Sequence, residues 1–161
     1  MIRNYRIEDV EIVHFETRRI AVLEHRGDPK LLFESVRKFI DWRKQNRLPP
    51  SRSATFNVIY DDPSTTPEEQ FRFDLCAAVT RPIEPNDHGV IERAIPAGRC
   101  ARLRYVGSED GLGEAIAFLY STWLPRSGEE LRGFPLFLER VRFAPELAEH
   151  ESEIDLYLPL V

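Results

Sequence analysis

The feature that most limits what this chain can fold into is a repeat. Ile20-Ala-Val-Leu-Glu-His-Arg-Gly27 matches Cys100-Ala-Arg-Leu-Arg-Tyr-Val-Gly107 at an offset of 80, sharing Ala, Leu and Gly. Phe33 to Trp42 overlays Glu114 to Trp123 at an offset of 81, and Phe73-Asp-Leu75 overlays Ile154-Asp-Leu156 at the same offset. Two copies make a duplication rather than a solenoid. Each copy reads strand, helix, strand, strand. The expected fold is therefore α+β: duplicated βαββ modules forming an antiparallel sheet, with two main helices on one face. A groove is expected at the pseudo-twofold junction, where pockets tend to form. The 161 residues suit a single domain made of two pseudo-repeats, about 13–80 and 89–161.

Local patterns support each copy. Val10 to Phe15 alternates weakly, and Arg19 to His25 is a firmer strand ended by Gly27. Asp28 caps the next helix with Pro29 at its first position, where the missing N–H has no helical partner to lose. Leu32, Phe33, Val36, Phe39 and Ile40 form a wide apolar stripe at helical spacing. Thr55 to Tyr60 and Phe71 to Val79 read as strands, joined through the Asp61-Asp62-Pro63 turn and a short helical turn at Thr66-Pro67-Glu68-Glu69. Thr80 to His88 is a polar crossover with two prolines. Val90 to Ile95 and Arg99 to Val106 are the next strands. Leu112, Ala115, Ile116, Leu119 and Trp123 give a second helical stripe, which Pro125 is expected to end. A strand from Pro135, a loop from Pro145 to Glu151 and a strand from Ile154 to Leu160 complete the chain.

Composition excludes several classes. The net charge of −5 gives no general attraction to nucleic acid or anionic membranes. No apolar run approaches the ~20 residues of a membrane span, and the polar N-terminus does not read as a signal peptide. Cys76 and Cys100 sit on separate strands without C-x-x-C spacing, which suits buried thiols in a reducing compartment. A cytoplasmic protein is the resulting expectation.

Catalytic motifs are sparse. Gly107-Ser108 lacks the flanks of a nucleophile elbow, and Gly111-Leu-Gly113 is too short for a dinucleotide loop. His14, His25, His88 and His150 stand singly without ligand spacing, so neither a metal nor a cofactor is expected. Binding is favoured over catalysis.

The exception lies in Phe137 to Phe143. Counting by twos, Phe137, Glu139, Val141 and Phe143 share one face, and Leu138, Arg140 and Arg142 the other. Glu139 thus sits in apolar company, with two readings. It is a structural carboxylate paired with an arginine such as Arg104, or the floor of an apolar site that selects cations. Tyr60, Tyr105, Tyr120, Trp123, Phe137 and Tyr157 are the aromatics placed to wall such a site. Aromatic faces around one acid suit an aromatic cation.

Three passages resemble a known family. Tyr60-Asp61-Asp62-Pro63, Thr66-Pro67-Glu68 and Arg72-Phe73-Asp74 resemble the Y-D-[DN]-P…T-P-x-E…R-x-D pattern of GyrI-like proteins. Gly98 to Gly107 resembles the strand that opens their second half. Trp123-Leu-Pro-x-Ser-Gly128, Pro135-Leu-Phe137 and Ile154-Asp-Leu-Tyr-Leu-Pro159 resemble the C-terminal halves of members attached to AraC-type regulators. The resemblance implies a duplicated βαββ domain with a ligand groove and a glutamate near its centre. That glutamate usually stands in a P-x-x-E-x-Y context; here Pro135 and Glu139 are one residue further apart, and Arg140-Val141 follows. No helix-turn-helix pattern precedes the first strand, so direct DNA binding is not expected. The leading expectation is sensing or sequestration of an amphipathic, aromatic or cationic small molecule. The resemblance implies two alternatives: inhibition of DNA gyrase by protein contact, and hydrolysis of reactive cyclopropane-bearing natural products with Glu139 as general base.

Overall fold

In a computed structural model, which describes residues 4–143 and 148–161, the strands run as β1 (Val10–Phe15), β2 (Arg18–Arg26), β3 (Thr55–Ile59), β4 (Arg72–Ala78), β5 (Ile91–Ile95), β6 (Gly98–Val106), β7 (Phe137–Arg142) and β8 (Glu153–Pro159). Helix α1 (Leu32–Gln45) joins β2 to β3, and α2 (Leu112–Phe118) with α3 (Leu124–Ser127) lies between β6 and β7. The chain is α+β with antiparallel strand pairing, as the duplication implied. Ala144 to Leu147, which include the start of the loop expected over Pro145 to Glu151, lie outside the described residues, and Glu149–Glu151 is a 3-10 turn. Among the described residues no helix is long and apolar enough to cross a membrane.

Two compact units form, and their boundaries are not those of the two sequence copies. One comprises Thr17–Pro96; the other comprises the segment ending at Glu16 together with Ala97–Val161. The reason is visible in the ladders. β1 leads the first copy in sequence but pairs with β6 of the second, Val13 opposite Cys100. β5 leads the second copy but pairs with β2 of the first, Val22 opposite Ile91. Each unit is a three-stranded βαββ module to which the other copy's lead-in adds a fourth strand, giving the orders β1-β6-β8-β7 and β3-β4-β2-β5.

In the Thr17–Pro96 unit the Asp28 carboxylate accepts from the Lys30 N–H at 2.9 Å, with Pro29 at the first turn position, and α1 follows. The helix buries Phe39 and Trp42, stacked at 5.8 Å, against Ala21, Leu23, Leu75 and Ala77 on one face of the sheet. The buried His25 ring bonds Ser35 Oγ at 2.7 Å and the Asp28 carbonyl at 2.9 Å, fixing β2 to the start of α1.

Arg43 faces inward from the last turn of α1 and is 6% exposed. It donates to the Leu48 carbonyl, the Ser53 carbonyl and Thr55 Oγ1, each at 2.8 Å, and so sews the loop after α1 to β3. Burial lowers its pKa to about 10, which leaves it protonated at neutral pH. Arg43→Met removes three charge-assisted donors and strands their acceptors, with an expected loss of about 3 kcal/mol in urea unfolding. An unchanged midpoint would show that these bonds are replaceable by water.

The second helix runs past the expected stop. Leu119–Trp123 is a single π turn in which the Leu124 N–H reaches the Leu119 carbonyl, and α3 then continues to Ser127. Pro125 does not end the helix because it falls at the beginning of this new segment, where a proline is tolerated. Gly128, left-handed at φ +73°, ends it instead. At the head of α2, Tyr105 Oη donates to the Ser108 carbonyl, and a Cβ on Gly111 would clash with the Tyr105 hydroxyl.

Candidate functional site

Opposed residues on neighbouring antiparallel strands point to the same side, so the ladders assemble side chains into rows. On β1-β6-β8-β7 one row reads Glu11, Arg102, Tyr157, Phe137. The next reads Arg104, Asp155, Glu139 on the same face. Glu139 therefore shares a face with Phe137 and Tyr157, directly across from Asp155.

The first row carries an aromatic cluster. Phe137 and Tyr157 stack at 5.0 Å with planes 12° apart. Phe15, from β1, meets both edge-on, at 4.8 Å and 5.2 Å, and Phe134 meets Phe137 at 6.1 Å. Phe137 is fully buried and Tyr157 nearly so, while Phe15 and Glu139 are half-buried.

The second row concentrates charge. Asp155 is 5% exposed, and Arg104 grips both its oxygens, Nη2 at 3.0 Å from Oδ2 and Nε on Oδ1. Arg104 Nη1 reaches Glu153 at 3.3 Å. The guanidinium fork expected for Glu139 is thus centred on Asp155. Arg142 also turns to this side: the register slips between Arg140 and Arg142, which puts Arg142 opposite Glu153 with an ion pair of 3.7 Å. A β-bulge at Val141 is the physical reason why simple alternation misplaces Arg142 and leaves Val141 38% exposed.

Tyr157 senses both rows. Burial pushes its phenol up to about 12, the negative charges of Asp155 and then Glu139 add to that, and Arg102, which donates to the oxygen, works in the opposite direction. Absorbance titration should find this phenol ionising near 12 rather than at the ordinary value of about 10. Between those two pH values the unfolded chain has lost the proton and the folded chain keeps it. Stability must therefore fall as pH rises through that window. Glu139→Gln should lower the phenol's pKa, and an unmoved titration curve would place the carboxylate away from the ring.

The other expected site residues are not members of these two rows. Tyr105 projects from the opposite face of β6, opposite Ile154, and is buried at the head of α2. Trp123 is 5% exposed in the π turn. Tyr120, in the same turn and 39% exposed, accepts from the Leu136 N–H beside the start of β7. Tyr60 belongs to the Thr17–Pro96 unit. There its hydroxyl donates to Asp74 at 2.8 Å, between the guanidinium groups of Arg26 at 5.3 Å and Arg72 at 4.9 Å from the ring. The Tyr60-Asp61-Asp62-Pro63 passage is structural here: Asp61 accepts from the Arg72 backbone N–H and from its guanidinium, pinning the chain before β4.

The duplication sharpens the contrast. The row Ile91, Val22, Cys76, Phe56 in the Thr17–Pro96 unit corresponds to Glu11, Arg102, Tyr157, Phe137, and Val58 corresponds to Glu139. Asp74 and Asp155 are common to both units, and both are buried. The difference lies in the aromatic row and at Glu139, whose counterparts in the Thr17–Pro96 unit are apolar except for the Cys76 thiol; the buried acid itself is surrounded by polar groups in both, with Glu24, Arg26 and Tyr60 about Asp74. Sequence reasoning missed Arg102, Glu11, Phe15 and Phe134. The Asp155 overlay with Asp74 was a usable signal, since a buried acid recurring at an 81-residue offset marks a shared position.

A cavity of about 550 Å3 in the Thr17–Pro96 unit is lined by Trp42, Gln45, Asn46, Glu84, Pro85, Asn86, Asp87 and His88. Its amides are largely engaged in local bonds: Asn86 with His88 and Val90, Asn46 with Trp42. It contains none of the expected site residues.

Comparison with known proteins agrees with the fold. The profile of the GyrI-like small molecule binding domain matches residues 8–161. A probable transcriptional regulator, YgiV of Escherichia coli K12, is 42% identical over 153 residues, which cover 94% of this chain and 96% of that protein. The C-terminal domain of EcmrR has the same fold, with a TM-score of 0.74 at 14% identity, covering 94% of this chain and 96% of that one. SAV2435 bound to tetraphenylphosphonium is also similar in fold, with a TM-score of 0.55 at 6% identity over 94% of this chain and 93% of that one. With a duplicated βαββ architecture, and with both sequence and structure matched nearly end to end, the chain belongs to the GyrI-like family of small-molecule-binding domains.

Proposed function

We propose that this domain binds amphipathic aromatic cations, with Glu139 supplying the charge and Phe137 and Tyr157 the aromatic surface. The observation that carries the reading is the shared face: a half-buried carboxylate one strand step from a stacked aromatic pair. A delocalised cation gains from the negative faces of the rings and from the acid, and an apolar body gains from leaving water. Phe15, half-buried, meets both rings of the pair edge-on and is the side chain that an incoming aromatic ligand would displace. The tetraphenylphosphonium found with SAV2435 is a ligand of this chemistry and a suitable probe. The relation to YgiV, named a probable transcriptional regulator, favours a sensing role.

Calorimetric titration with tetraphenylphosphonium tests the reading. Saturable one-site binding is expected, weakened by salt through screening of the carboxylate. Absence of saturable binding up to the solubility limit of the probe rejects it.

A further inference from the structure

The outer face of α1 carries a second, independent feature. Phe33, Arg37, Ile40 and Lys44 fall at the i, i+4, i+7, i+11 spacing of one helical stripe, and all four are exposed. Phe33 is 66% exposed, Ile40 46%, and Leu31 just before the helix 49%. Three large apolar side chains gathered on one short stretch differ from the isolated exposures normal on a surface. The Arg37 guanidinium covers one face of the Phe33 ring at 5.7 Å, which holds the ring in place on the surface.

Charge sets the kind of partner. Arg37 and Lys44 lie on the stripe and Arg47 follows its end; Lys30 before it is paired with Glu68 at 3.7 Å, and of the nearby acids Glu34 and Asp41, Asp41 is engaged by His88 at 2.7 Å and by Gln45. A chain of net charge −5 thus presents one locally basic helix face with apolar anchors. We infer that this stripe docks an acidic amphipathic helix of a protein partner. Its anchors at Phe33 and Ile40, two turns apart and about 10 Å along the axis, match apolar residues at i and i+7 on the incoming helix. A second copy of this chain is a poor occupant, because twofold pairing centred on the stripe sets Arg37 against Arg37. An anionic membrane would meet an overall acidic protein and only three apolar side chains, and nucleic acid would leave Phe33 and Ile40 without a purpose.

The test uses a synthetic fluorescent helix with leucines at i and i+7 flanked by glutamates, and a scrambled peptide of the same composition. In anisotropy titrations the patterned peptide is expected to bind about tenfold tighter than the scrambled one. The double variant Phe33→Ser/Ile40→Ser should abolish that preference. Arg37→Glu/Lys44→Glu should weaken the glutamate peptide and strengthen a lysine-bearing version. All four positions are exposed, so thermal unfolding of these variants should match the parent. Equal binding of patterned and scrambled peptides overturns the inference. So does a preference that survives the double serine change, or a dimer in sedimentation that Phe33→Ser dissociates. Binding to phosphatidylglycerol vesicles or duplex DNA through Arg37 and Lys44, without the peptide preference, overturns it as well.

Discussion

Replacing Glu139 by glutamine should weaken tetraphenylphosphonium binding by about 10–100-fold while leaving the thermal midpoint near that of the parent. The substitution keeps the shape and one acceptor oxygen, turns the other into an NH2 donor and removes the charge. Opposite Glu139 stands Asp155, whose own charge is held by Arg104, so Asp155 is poorly placed to substitute for it. Loss of affinity should lie chiefly in the dissociation rate, since the site is local and the rest of the surface is unchanged. A neutral aromatic probe of similar size should bind parent and variant alike. Equal affinity of both proteins for the cation would remove Glu139 from the account and leave the aromatic cluster as ordinary core.

The second large effect is on stability. Phe137 is fully buried and contacts Phe15, Phe134 and Tyr157 through their rings. Phe137→Ala should cost about 3–5 kcal/mol, measured by urea unfolding, through lost burial and the cavity left behind. Phe137→Leu keeps most of the volume and should cost less, but it removes the stack on Tyr157 and should still weaken cation binding. If the leucine variant binds the cation fully, the ring face at 137 contributes packing alone.

Much of the fold was legible because local and repeated signals agreed. The Asp28-Pro29 start, the α1 stripe and the alternation in β4 and β8 each specify an element, and the repeat at 80–81 residues specifies their order twice. The partner of each leading strand was not legible. Val10–Phe15 carries no mark that sends it to β6 rather than to the β2 that follows it, since pairing is decided by packing far along the chain. The same holds for Arg43, whose inward turn is set by three acceptors in a loop that looks polar and irregular in sequence.

The site was half legible for a related reason. Alternation alone put Glu139 with Phe137, and the register confirms that they share a side. It could not reveal that Arg104 is committed to Asp155, because register across three strands is a long-range property. Nor could it place Arg142, since one extra residue at Val141 reverses the count. Tyr105 shows the limit of grouping aromatics by type: one residue of parity separates it from Arg104 and sends it to the other face.

The most direct measurement is carboxyl carbon NMR of protein labelled at glutamate, with the Glu139 signal identified by its loss in Glu139→Gln. On titration with tetraphenylphosphonium the Glu139 signal should shift saturably, together with ring signals of Phe137 and Tyr157, while Trp42 and His88 stay in place. A Glu139 signal that does not move while Trp42 and His88 respond would put the ligand in the cavity beside α1 and contradict the account.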